Sequence, residues 1–296
     1  MRVAVLGCGY VGLALGRQLA GDHEVVGVRR SEAGLEAVRA AGLTAVEADV
    51  TVPETLDAVP AVDAVVFAAS SGGRDVAAAR EVYVEGQRRA IEHFGARADP
   101  PERYVYTSST GVYGDHDGDW VDETTPLDPQ TDRAAALVEA ERVALEGASA
   151  AGMEPTVARL AGLYGPDRYR LERYLTGPVT AGYLNLVHRE DAAGAIAHFL
   201  ETGAAGGDVV LVVDDEPVDR RVLADWLADA CGEPAPPTRT VAEARSDADR
   251  SAAASRRLRA DKRCDNGYLR SLGYELRYPT FRAGYRAAVE AYREGH

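Results

Sequence analysis

Short apolar runs rich in β-branched side chains recur along the chain: RVAVLG, EVVGV, TAVEA, DAVVFAA, RYVYTS and EPTVARL. Longer alanine-rich stretches of helical character separate them. The runs are too continuously apolar for strands with one face in water. They predict parallel strands covered on both faces by the intervening helices, and the fold class that follows is α/β, a doubly wound parallel sheet. A dinucleotide-binding core is expected over residues 1–165. A mixed C-terminal region, residues 166–296, is expected to hold a smaller substrate lobe and to return elements to the core. One linker-like piece, CGEPAPPTRT, precedes the charged EARSDADRSAAASRR, and this part of the chain is expected to be exposed.

The first run passes directly into Gly7-Cys8-Gly9-Tyr10-Val11-Gly12 and then into the helical LALGRQLAG. This places a G-x-G-x-x-G turn between a strand and a helix, the setting that dinucleotide binding requires. Gly7 permits the tight turn, Gly9 lets a pyrophosphate approach the backbone, and Gly12 lets the helix pack on the strand. Tyr10 and Val11 belong to the same cradle, which makes the sheet a Rossmann sheet. The second strand ends in VVGVRRS. An NAD site usually has a carboxylate there for the ribose 2′-hydroxyl, whereas Arg29 and Arg30 suit the 2′-phosphate of NADP. NADP is therefore the expected cofactor, with NAD as the alternative. Two arginines at a strand end also suit simple solvation.

Composition narrows the partners. The chain has 296 residues, 46% of them hydrophobic, which is enough for a sizeable core. No apolar run reaches membrane-spanning length, and RVAVLG begins too early for a signal peptide, so a cytoplasmic protein without a membrane partner is expected. A net charge of −14 argues against nucleic acid. Cys8, Cys231 and Cys264 fit neither a disulfide framework nor a metal pattern, and no metal is expected. Of the 33 basic residues only Lys262 is a lysine, against 47 acidic residues. Arginine bias alone suits a GC-rich genome, but the added acidic excess suits a halophilic cell, where concentrated cations screen self-repulsion. The melting temperature should therefore rise between dilute buffer and molar salt; a salt-indifferent value would refute the halophilic reading.

GCGYVG, Asp49-Val50 after the third run, Phe67-Ala68-Ala69 after the fourth, YTSSTGVYG, RLAGLYGP and NLVHREDAAGAI occur in that order. Together they resemble an extended short-chain dehydrogenase/reductase of the NAD-dependent epimerase/dehydratase family. GDWVDETTP, VVDDEPVDRR and the C-terminal KRCDNGYLRSLGYELRYPTFRAGY are similar to the atypical subgroup. The resemblance implies that Asp49 and Val50 contact adenine and that Ala68 and Ala69 line the ribose and pyrophosphate. Each also suits a simpler role, Asp49 as a turn or cap and the alanines as close packing. Ser109 stands where the family has its catalytic serine or threonine. The resemblance allows a homodimer.

The family's proton-transfer pair, Tyr-x-x-x-Lys, is missing. Arg133 and Leu137 stand about where the tyrosine and lysine belong. Tyr113 and His188 are the substitutes considered for proton transfer, with Tyr164, Arg168 and Asn185 as substrate contacts. His188 better suits a role in anchoring a strand to the following helix. Two functions follow. One is an NADP-preferring oxidoreductase or epimerase acting on a sugar nucleotide or another hydroxyl/carbonyl compound. The other is a non-catalytic NADP-binding protein whose occupancy governs a partner.

Overall fold

A computed structural model describes residues 1–72, 75–246 and 260–295. All six runs are strands: β1 Arg2–Leu6, β2 Glu24–Arg29, β3 Thr44–Glu47, β4 Ala64–Phe67, β5 Arg103–Ser109 and β6 Glu154–Leu160. A seventh strand, β7 Val209–Val212, joins from the C-terminal region and was not among the six runs predicted. The sheet is parallel throughout, in the order β7-β6-β5-β4-β1-β2-β3.

Strand burial follows the apolar pattern. Val3, Ala4, Val5 and Leu6 of β1 are fully buried, as are Ala64, Val65 and Phe67 of β4. One face carries helix α1, Tyr10–Leu19, and the later helix Arg189–Thr202, which pack on each other. Helix α2, Glu32–Ala40, packs near the β2–β3 edge. The opposite face is covered by α3, Val76–Arg80, which continues through a π-turn at Glu81–Glu85 into α4, Gly86–Gly95. Helix α5, Asp132–Arg142, lies beside them, so that Tyr106, Phe94, Ala140 and Val157 share one core. Each fully buried large apolar side chain contributes about 1.5–3 kcal/mol.

Beyond the clusters on the two sheet faces, a third apolar cluster, around Leu175, Leu223, Leu227, Phe281 and Tyr285, forms the C-terminal lobe. Asp191 ties this lobe to the core. Its carboxylate accepts from the Arg277 and Tyr278 N–H groups at 2.7 and 2.8 Å and from the Tyr274 hydroxyl at 3.2 Å. All three cysteines are buried and free. Among the described residues no helix is long and apolar enough to cross a membrane. Most of EARSDADRSAAASRR lies outside the described residues.

Between β1 and β4 the strand order reverses direction. In an open α/β sheet such a switch point leaves a crevice beyond the strands' carboxyl ends. The sequence's glycine turn and the ends of β2, β4 and β5 all open onto that crevice.

Candidate functional site

The crevice is a cleft of about 780 Å³, within the range of cofactor and substrate pockets. Gly7 holds a φ of +82°, and a β-carbon on it would lie 2.4 Å from the Ala69 Cα. The turn can therefore close against β4 only with glycine. Gly9 is the N-cap of α1 and brings no capping side chain, which leaves the first-turn N–H groups facing the cleft at the positive end of the helix. These features fit a pyrophosphate. Tyr10 fixes the next loop: its hydroxyl donates to the Pro166 carbonyl at 3.0 Å, and the Arg168 guanidinium stacks 4.0 Å over its ring.

All the residues assigned to the cofactor from the sequence line this cleft: Gly7, Gly9, Tyr10, Val11, Gly12, Arg29, Arg30, Asp49, Val50, Ala68 and Ala69. The two arginines differ. Arg30 reaches the Asp49 carboxylate at 3.4 Å and is nearly half exposed. Arg29 lies against the glycine turn, its Nη1 2.8 Å from where a β-carbon of Gly9 would stand, and among the described residues no carboxylate pairs with it. Burial alone would raise the Asp49 carboxyl. Hydrogen bonds from the Thr51 N–H and hydroxyl, with Arg30, reverse this and hold it below the usual carboxylate range.

Ser109 ends β5 and faces the cleft, its Oγ accepting from the Gly111 N–H at 3.2 Å. Its neighbour Ser108 is turned into a buried polar cluster. Ser108 Oγ donates to Glu141 at 2.5 Å, Arg159 of β6 donates to Glu141 at 2.7 Å, and Arg159 Nη1 donates to the Tyr113 hydroxyl at 2.6 Å. This cluster fastens α5 to the sheet just beneath the cleft.

Four expectations need correction. Tyr113 is fully buried, its hydroxyl is taken by Arg159, and burial raises its pKa, so it is not placed to exchange a proton in the cleft. His188 is the N-cap of the helix Arg189–Thr202, where its Nδ1 accepts from the Glu190 N–H at 3.3 Å. It is 2% exposed and packed against Tyr164 and Tyr278, and burial pushes its pKa down from 6.5 to about 4. It anchors a strand to a helix and is not in the cleft wall. Tyr164 is buried and stacked on Tyr285 at 4.9 Å, away from the cleft. Asn185 spends both ends of its amide on backbone, donating to the Lys262 carbonyl at 3.0 Å and accepting from the Cys264 N–H at 2.7 Å. Arg168, by contrast, does line the cleft.

Arg133 and Leu137, one turn apart on α5, both face the cleft. The helix thus presents an arginine and a leucine to the cleft. Sequence reasoning missed Tyr83, which lines the same region from the π-turn and accepts a short hydrogen bond from Arg133. In the sequence EVYVEG it reads as one more core aromatic. The π-turn, a feature that often marks functional sites in helices, has no local sequence signature.

The model of the NAD dependent epimerase/dehydratase family matches residues 3–185. Protein YeeZ of Escherichia coli (strain K12) is 34% identical over 216 residues, 69% of this chain and 75% of that protein. Among solved structures, a functionally unknown conserved protein from Silicibacter pomeroyi is similar at 30% identity and a TM-score of 0.77, covering 99% of this chain and 98% of that one. The dTDP-glucose 4,6-dehydratase of Streptomyces venezuelae, solved with NAD and TYD bound, is similar at 25% identity and a TM-score of 0.79, covering 99% and 97%. The chain belongs to the NAD-dependent epimerase/dehydratase family, with the fold of the extended short-chain dehydrogenases.

Proposed function

We propose that this member of the NAD-dependent epimerase/dehydratase family binds NADP(H) in the cleft and acts as an oxidoreductase or epimerase on a hydroxyl or carbonyl compound. The observation that carries the reading is the uncapped N-terminus of α1 behind the Gly7–Gly9 turn, at the sheet's switch point and beside Arg29. In this reading the α1 N–H groups hold the pyrophosphate, Asp49 and Val50 border the adenine, and Ala68 and Ala69 allow the ribose and pyrophosphate to approach the β4 backbone. Arg29 holds the 2′-phosphate, with Ser31 and Arg30 around it. The bound nicotinamide supplies the hydride chemistry. Ser109 is placed to donate to a substrate oxygen. NAD in the Streptomyces neighbour supports a nicotinamide dinucleotide; the NADP preference rests on Arg29 and Arg30.

A specific observation favours a second reading. Arg133 and Leu137 offer no group that exchanges protons near neutral pH, and Tyr113 and His188 face away from the cleft. A protein that binds NADP(H) to set its shape for a partner accounts for those features.

NADP(H) should bind more tightly than NAD(H) by about 1.5–3 kcal/mol, the range for a charge-assisted contact to phosphate. Arg29→Ser should remove most of this preference, and Arg29→Ser/Arg30→Ser all of it. Equal calorimetric affinities in the unmodified protein would refute the assignment.

A further inference from the structure

Arg133 stands in the first turn of α5, in the cleft wall. Its Nη1 donates to Ser71 Oγ at 3.0 Å and its Nη2 to the Tyr83 hydroxyl, whose ring lies 5.2 Å from the guanidinium carbon. Both partners are neutral. Among the described residues no carboxylate lies within 4.0 Å of this guanidinium, although nearby Arg80 and Arg88 both pair with Glu139, and Arg142 with Glu146. In a chain with 47 acidic and 33 basic residues, an arginine left without an acidic partner beside a cleft is a departure from the local pattern.

Neutral hydroxyls satisfy two of the five guanidinium N–H donors but leave its charge uncompensated. A half-buried cation is also screened less than an exposed one, so an anion arriving there is attracted more strongly than at the surface. Guanidinium neither accepts a hydrogen bond nor loses its proton near neutral pH, so Arg133 cannot replace a proton-transfer tyrosine. Its geometry suits a planar or tetrahedral oxyanion. The Ser71 and Tyr83 oxygens lie 3.3 Å apart, within hydrogen-bond distance of each other, and Tyr83 borders the cleft. Leu137 supplies an apolar surface one turn along.

We propose that Arg133 and Tyr83 form an anion subsite on the β5 side of the cleft, across the switch point from Arg29, which receives a carboxylate or phosphate carried by the substrate. The inference rests on the dinucleotide reading above, because it assigns the β5 side to the substrate and the β2 side to the cofactor.

The test is calorimetry on the full chain saturated with NADPH, which occupies the turn that could otherwise bind phosphate. Malonate, its uncharged counterpart malonamide, and inorganic phosphate are titrated separately. At least one anion should bind and malonamide should not; malonate alone identifies a carboxylate site, phosphate alone a phosphoryl site, and both a site that reads charge. Arg133→Gln should weaken anion binding about tenfold or more while NADPH affinity and the urea midpoint stay near those of the parent. Arg133→Lys, which keeps the charge, should fall between them and serves where the glutamine variant does not fold. Equal binding of malonate and malonamide, no anion binding to the NADPH-loaded protein, or unchanged anion affinity in either variant would overturn the subsite alone. Failure of NADPH to bind would remove the cofactor reading and the subsite together.

Discussion

Arg159→Leu should destabilise the protein by about 3–5 kcal/mol, the usual consequence of removing one member of a buried ion pair. Arg159 and Glu141 side chains are only 5% and 4% exposed. The substitution would strand the Glu141 carboxylate with Ser108 as its remaining donor and would leave the Tyr113 hydroxyl buried without its Arg159 bond. Burial opposes the Arg159 charge, and the bonds to Glu141 and Tyr113 more than offset that cost. Urea denaturation gives the measurement. The double variant Arg159→Met/Glu141→Leu should recover a large part of the loss, because both charges leave the interior together. A single-variant loss below about 1 kcal/mol would mean that water reaches the cluster and that it does not clamp α5 to the sheet.

Gly7→Ala should cost stability and nearly abolish dinucleotide binding. Alanine at a φ of +82° carries strain of about 1–2 kcal/mol. Its methyl group would also meet the Ala69 backbone at 2.4 Å, where no flexible side chain can give way, adding about 1–3 kcal/mol of overpacking. Relief by separating the ends of β1 and β4 opens the crevice in which the pyrophosphate is proposed to lie. NADPH affinity, followed by fluorescence, should fall by about a hundredfold if some 3 kcal/mol of this strain is expressed on binding. Gly21→Ala is the control: nothing lies within 4 Å of its added carbon and its φ is not positive, so stability and affinity should barely move. A Gly7→Ala protein with unchanged NADPH affinity would place the dinucleotide elsewhere.

The local parts of this protein were determined by sequence alone. Continuous apolar runs specify buried parallel strands because a two-sided strand has no solvent face to mark with polar residues. A glycine turn between strand and helix specifies an anion cradle because backbone freedom and helix N–H groups act within a few residues. That Arg133 and Leu137 share one face was also legible, since helical spacing puts them one turn apart, and the structure has both in the cleft wall. β7 escaped notice because four apolar residues carry no periodicity that separates a strand from a helix fragment.

Side-chain direction and partner choice were decided only by the tertiary structure. Ser109 and Tyr113 are four residues apart, yet the 3-10 turn Thr110–Tyr113 leaves the serine facing the cleft and sends the tyrosine to Arg159, 46 positions away. Asn185 was a candidate substrate contact and His188 a candidate for proton transfer, but backbone groups that arrive from other segments take up the Asn185 amide, and aromatic packing encloses His188. Arg133 gains its meaning from Ser71 and Tyr83, 62 and 50 positions earlier in the chain. Hydrogen-bond and charge partners of this kind are set by which segments the sheet brings together, and a side chain's capacity to react depends on which of them reaches it first.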